Sequence, residues 1–219
     1  MRVFSSFLFC MELAYMLGKG HDTIVLGDYR MNQLLEMLET NPIVAAIKDE
    51  AGLEAALKSE VGIVFVLHGD LCTLPAIVER IKLKKRMAIV HVDLIEGLSN
   101  DEVALDYIKN VVHADGIITT KSSFIQYGKK IGLYTIHRYF VLDSMALQNI
   151  IKQAKNAVQP DAIEILPGVL QPKIVRYITK HSPVPVMCGG LVTVKEDVIH
   201  CLQSGAIAVS TTRKDLWDL

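Results

Sequence analysis

Four ionisable side chains stand where strand-like runs give way to polar residues. Asp93 follows MAIVHV (87–92), Lys121 follows GIITT (116–120), Arg138 follows YTIH (134–137), and Glu164 lies inside AIEIL (162–166). Two cations and two carboxylates at the ends of separate strands suit a ligand with one anionic and one hydroxylated end. Arg138 and Lys121 complement phosphate charge, and Asp93 and Glu164 accept hydrogen bonds from hydroxyls. Two late turns add a second signal. The run Val184 to Met187 ends near Gly189-Gly190, and Ala206 to Val209 ends at Ser210-Thr211-Thr212. Small residues let the backbone approach a ligand closely and offer N–H and hydroxyl donors. Gly189, Gly190, Ser210 and Thr211 are therefore the expected phosphate cradle.

The same residues could catalyse, with a carboxylate of raised pKa as base and Lys121 as electrophile or Schiff-base amine. No spacing selects that chemistry. There is no HExxH, no Walker loop, no nucleophile elbow, and no GxGxxG after a strand. Each charge could instead be a satisfied ion pair, Glu164 with Arg138 or with Lys121. His91, one layer below Asp93, fits a hydrogen-bonded core residue.

Positioning these side chains takes a repeated unit of roughly 20 to 28 residues, a short apolar run followed by an amphipathic one. The expected strands are 43–47, 63–67, 87–92, 116–119, 134–138, 162–166, 185–188 and 206–210. Helices are expected from Asp49, over Leu74–Leu83, over Ser144–Val158 with Leu147, Ile150, Ile151 and Ala154 on one face, and over Lys195–Gln203. Thr193 with Glu196 reads as a capping box for the last of these. Eight strands alternating with helices imply parallel pairing, and eight is the number that closes into a small α/β (β/α)8 TIM barrel with a truncated last helix near Lys214–Trp217. Its working face is the carboxyl-terminal end of the strands. An open doubly wound sheet is the competing architecture.

The 219 residues fit one domain, expected over 33–219. A hydrophobic content of 51% suits strands apolar on both faces. The formal charge of −1 gives no global attraction for nucleic acid or an anionic membrane. Cys10, Cys72, Cys188 and Cys201 form no CxxC pair, so they are expected as reduced core thiols in a cytoplasmic protein without metal or cofactor. Residues 1–32 do not match the repeat. Glu12 interrupts their apolar run short of a membrane span, and no signal-peptide cleavage site is evident. They fit a helix packed on the barrel or a start assigned too early, Met31 being the true start. The second is preferred, since the repeat needs nothing before residue 33.

Six segments in order then resemble a known family. They are HVDLIEG (91–97), DGIITTKS (115–122), RYFVLDS (138–144), EILPG (164–168), GGL (189–191), and AVSTT (208–212) with Leu216-Trp217. Together they resemble the bacterial glycerol-3-phosphate-responsive antiterminators of glycerol uptake operons, from about residue 40 onward. The resemblance implies a non-catalytic barrel that senses sn-glycerol 3-phosphate and binds leader mRNA of glycerol genes to prevent premature termination. It places phosphate on Gly189, Gly190, Ser210 and Thr211, with Lys121 in a matching position. Asp93, Arg138 and Glu164 would line the glycerol side or hold the cradle. Cys188 stands where the family pattern has a small residue such as Ala, and His137 where it has Gln.

No RRM, KH or dsRBD signature is present. The densest basic run, Lys82, Lys84, Lys85 and Arg86, falls at the opposite end of the barrel from the ligand and is the expected RNA contact. It would equally serve as a solvated helix end that complements the helix dipole. Lys129, Lys130, Arg176 and Lys180 fall on the same lower face, and a homodimer would align two such faces. The alternative function is a TIM-barrel enzyme (isomerase, aldolase or phosphodiesterase) acting on a small phosphate ester.

Overall fold

The structure, a computed structural model, describes residues 33–153 and 157–219. The chain divides into two compact units, 1–37 and 38–219, and the second holds the barrel. The start-site expectations, Cys10 and Ala154 lie outside the described residues. Eight parallel strands close in sequence order: β1 Ile43–Ile47, β2 Ile63–Val66, β3 Met87–His91, β4 Gly116–Thr119, β5 Tyr134–Phe140, β6 Ala162–Leu166, β7 Val186–Gly189 and β8 Ala208–Thr211. The helices between them are α1 Glu50–Ala56, α2 Leu74–Leu83, α3 Glu102–Asn110, α4 Ser122–Lys130, α5 Ser144–Gln153, α6 Pro172–His181 and α7 Lys195–Gln203. The last helical segment is a single 3-10 turn, Lys214–Leu216. The barrel, rather than the open sheet, is the fold.

Register fixes which side chains face inward, because residues alternate along each strand. Arg138 pairs with Glu164, Glu164 with Met187, Gly189 with Ser210, and Ser210 with Val44. These residues share one face, as do Ala46, Phe65 and Ile89 in the adjoining strands. The opposite faces carry Val64, Val66, Ile117 and Cys188 into the layer between sheet and helices, where Leu53, Ile81, Leu105 and Ile178 meet them. Both faces are buried, which is why the strands read as continuous apolar runs.

Three local expectations are corrected. β3 ends at His91, and Asp93 stands on a 3-10 turn, Val92–Leu94, so the two do not share a strand face. The cap of α7 is not Thr193 with Glu196. The Asp197 carboxylate accepts from the Thr193 and Val194 N–H groups at 2.9 and 3.2 Å, because Val194 is the residue that breaks from helical geometry. Helix α5 does not reach Val158, which lies outside any helix; Pro160 disfavours helical geometry just before it. Asp49, by contrast, caps α1 as expected, accepting from Gly52 N–H at 2.6 Å.

The lower, amino-terminal end is closed by a repeated device. Asp115, before β4, accepts from Ala88 N–H of β3 and from Lys82 at the end of α2. Asp161, before β6, accepts from Thr135 N–H of β5 and from Lys129 at the end of α4. At the other seam, β8 returns to β1, and Trp217, 1% exposed, donates from its indole to Thr211 O at 2.9 Å. Of the cysteines, Cys188 and Cys201 are core thiols, but Cys72 is exposed in the loop before α2.

Candidate ligand-binding site

The inner wall beneath the carboxyl-terminal mouth is built on Glu164. This carboxylate has no exposed surface. Burying it unpaired would cost several kcal/mol, roughly, so its surroundings must satisfy both oxygens. They do: Arg138 Nε donates to Oε2 at 2.6 Å and Ser210 Oγ donates to Oε1 at 2.5 Å. Three strands are thereby tied across the barrel interior. Gly189 permits the approach, since a Cβ there would lie 2.5 Å from Ser210 Oγ and closer still to Glu164 Oε1.

Above this wall lies a cavity of about 280 Å³. Arg138, Gly190, Ser210 and Thr211 line it, together with Ala46 and Leu67 at the ends of β1 and β2. Arg138 uses Nε on Glu164 and also lines the cavity. Gly190 has φ +74°, a geometry glycine adopts without strain, and it lets the loop after β7 fold over the mouth. Thr211 Oγ1 donates to Val192 O at 2.9 Å, which pins that loop to β8. Arg138 and Arg213 line the cavity beside the apolar Leu67, Leu166, Leu191 and Val192, a setting that suits an anion. The Ser210 and Thr211 hydroxyl protons are already given to Glu164 and to Val192 O. Ser210 is no free nucleophile, because its proton is committed to a carboxylate whose charge Arg138 already matches.

Asp93 and Lys121 do not line this cavity. Asp93 accepts from Thr119 Oγ1, Thr120 N–H and Thr120 Oγ1, at 2.8–3.1 Å, and pairs with Lys121 Nζ at 3.3 Å. Desolvation tends to raise its pKa, but the donors from Thr120 and Thr119 outweigh it and hold the carboxyl below its ordinary value. Lys121 also donates to Asn100 Oδ1. The pair thus stitches the loops after β3 and β4 together. Glu164 likewise lies under the cavity rather than on its surface. Sequence reasoning brought Arg138, Gly190, Ser210 and Thr211 to one place and overlooked Ala46 and Leu67. Those two are apolar, and only the phase of their strands points them inward.

His91, 3% exposed, faces the same interior one strand from Leu67, and its buried Nδ1 has no hydrogen-bond partner among the described residues. Burial, reinforced by the Arg138 charge, pushes its pKa down to about 4, with Asp93 opposing. It is therefore a neutral imidazole at pH 7.

At the other end of the barrel, Lys82 is held by Asp115, and Arg86 donates to Ser59 O. Lys84 and Lys85 are exposed, Lys85 at φ 58°. Among the described residues no cluster of three or more His, Cys, Asp or Glu could hold a metal ion. No helix among them is long and apolar enough to cross a membrane.

Comparison with known proteins fits this geometry. The family description "Glycerol-3-phosphate responsive antiterminator" matches residues 43–217. The uncharacterized protein YgcP of Escherichia coli (strain K12) is 43% identical over 186 residues, 85% of this chain and 96% of its own. The crystal structure of the glycerol uptake operon antiterminator regulatory protein of Listeria monocytogenes superimposes with a TM-score of 0.75 at 34% identity, covering 80% of this chain and 94% of that one. A glycerol uptake operon antiterminator-related protein of Thermotoga maritima gives a TM-score of 0.71 at 31% identity, over 81% and 98% of the two chains. The deoxyribose phosphate aldolase of Aeropyrum pernix, at 11% identity, shares the fold alone. With the match running from the first barrel strand to Trp217, the chain belongs to the glycerol-3-phosphate responsive antiterminators.

Proposed function

We propose that this barrel senses sn-glycerol 3-phosphate in the cytoplasm and, without catalysing a reaction, acts on leader mRNA of glycerol uptake and catabolic genes to prevent premature termination. The observation that carries the ligand reading is the cavity of about 280 Å³ lined by Arg138, Gly190, Ser210, Thr211 and Arg213. The ester's phosphate sits on Arg138, Gly190, Ser210 and Thr211, over the wall formed by Gly189 and Glu164. Its hydroxyls point across the mouth toward the side that Asp93 and Lys121 hold in shape. For RNA, Lys84 and Lys85 are the exposed members of the basic run that no carboxylate or carbonyl holds among the described residues, whereas Lys82 is on Asp115 and Arg86 on Ser59 O. A homodimer would present two such pairs.

The test is thermal unfolding of the full chain with millimolar sn-glycerol 3-phosphate, against glycerol and inorganic phosphate. At about 100 times its Kd a ligand stabilises by about 2.7 kcal/mol, a rise of roughly 5–10 °C for a domain of this size. A shift with the ester, absent with glycerol and smaller with phosphate, is expected. No shift with the ester would remove the ligand reading. A gel shift with leader RNA, repeated with and without the ester at two salt concentrations, tests the second half.

A further inference from the structure

The two arginines on the cavity lining, Arg138 and Arg213, are held in different ways. Arg138 pairs with Glu164 inside the barrel wall, where both side chains are buried. Arg213 stands on the turn after β8, and its guanidinium donates to both oxygens of Asp215 at 2.9 Å each. These two side chains are 51% and 60% exposed, and Asp215 does not line the cavity. An exposed pair is screened by water and adds little stability, so it opens where a buried pair does not. The root of Arg213 is nonetheless fixed. Its N–H donates to Thr211 Oγ1 at 3.1 Å, and its carbonyl accepts from Leu216 N–H at 3.1 Å. Only the side chain has to turn. Lys214, the neighbouring cation, is directed elsewhere and donates to Ala51 O at 2.8 Å.

We infer that Arg213 is a mobile phosphate-binding arm of this cavity, and that Asp215 is an internal competitor that gives it up when the ligand's phosphate arrives. This rests on the ligand reading proposed above. The exchange replaces one anion by another of similar shape. Carboxylate and phosphate both present paired oxygens to the fork of an arginine, and the phosphate monoester carries the larger charge. The hydrogen bonds from Arg213 hold the Asp215 carboxyl below its ordinary range, so at pH 7 it competes as a full anion. Without ligand, the two exposed charges cancel at the rim. With ligand, the phosphate lies between Arg138, fixed in the wall, and Arg213, turned in from the rim. Glycerol has no charge to draw Arg213 from Asp215. Selectivity for a phosphate monoester over the free polyol is therefore set at the turn after β8, and Asp215 keeps the affinity below what the two arginines alone would give.

The test is calorimetry of the full chain with sn-glycerol 3-phosphate and with its methyl phosphodiester, which carries less charge. Arg213→Gln should weaken the monoester about tenfold or more, the loss expected from a charge-assisted hydrogen bond, and should narrow its advantage over the diester. Arg213→Lys should restore part of both. Asp215→Asn should tighten the monoester by about two- to fivefold, the range expected when an exposed ion pair no longer competes. In the Arg213→Gln background Asp215→Asn should change nothing. That dependence is the decisive readout, because an aspartate that merely shaped the turn would act with or without the arginine. Both side chains are exposed, so Tm without ligand should stay within about 4 °C of the parent. Unchanged affinity in Arg213→Gln would overturn the arm. Unchanged or weakened affinity in Asp215→Asn would overturn the competition. If the parent itself fails to bind the ester, the ligand reading falls and this inference with it; a parent that binds, with indifferent variants, overturns this inference alone.

Discussion

Replacing Arg138 by Ala tests whether one guanidinium both completes the barrel interior and binds the ligand. Arg138 is 9% exposed and Glu164 0%, so solvent screens the pair little. Removing one partner of a buried pair costs about 3–5 kcal/mol, because the other charge is left in a low-dielectric interior. Ser210 supplies only one of the two donors that Glu164 uses. For a barrel of this size each kcal/mol moves Tm by about 2–4 °C, so a fall of roughly 6–20 °C is expected. Arg138→Met combined with Glu164→Gln removes both charges, keeps an acceptor for Ser210, and should recover to within about 1 kcal/mol of the parent. Its affinity should not recover. A lost charge-assisted hydrogen bond is worth about 1.5–3 kcal/mol, or roughly 10- to 150-fold in Kd. Urea unfolding followed by circular dichroism reads the first quantity, and calorimetry with sn-glycerol 3-phosphate the second. If Arg138→Ala costs under about 1 kcal/mol, the ion pair does not govern the interior. Parental affinity in the double variant would show that Arg138 does not touch the ligand.

Gly189→Ala should cost about 1–3 kcal/mol in urea unfolding, since its methyl collides with Glu164 and Ser210; unchanged stability would mean the wall yields freely. For His91, the folded pKa of about 4 lies below the ordinary 6.5, so the unfolded chain binds the extra proton between those values. Its contribution is therefore present above pH 6.5 and lost as pH falls toward 4, about 2 kcal/mol between pH 7 and pH 5. His91→Leu should flatten that slope, leaving the smaller dependence from His137, whose burial also lowers its pKa; an unaltered slope would mean His91 is solvated. Lys84→Ala with Lys85→Ala should reduce the salt dependence of leader-RNA binding by about 1.4 in log–log slope, two phosphate contacts on a single strand. An identical slope would place the RNA elsewhere.

The strands were legible because each is a short apolar run between polar breaks, and their count led directly to closure. Arg138 and Glu164 were legible for a related reason, as charges inside such runs must find partners. What the linear pattern could not supply was phase. Ala46 and Leu67 face the cavity only because β1 and β2 pair in the register that turns them inward. Asp93 lay near enough to a strand end to suggest the mouth, yet the 3-10 turn after His91 redirects it onto Thr119 and Thr120. Cys72 shows the limit of composition: nothing about a scattered cysteine distinguishes a loop from a core.

The indole of Trp217 has a consequence beyond packing. It holds Thr211 at the end of β8, the strand whose pairing with β1 makes the sheet continuous. A closed sheet exposes no edge, whereas an opened one presents rows of unpaired N–H and C=O groups that recruit strands from other chains. Loosening that one clamp would turn two interior strands into templates for self-association. The residue that completes the ligand wall's scaffold is thus also a guard against aggregation.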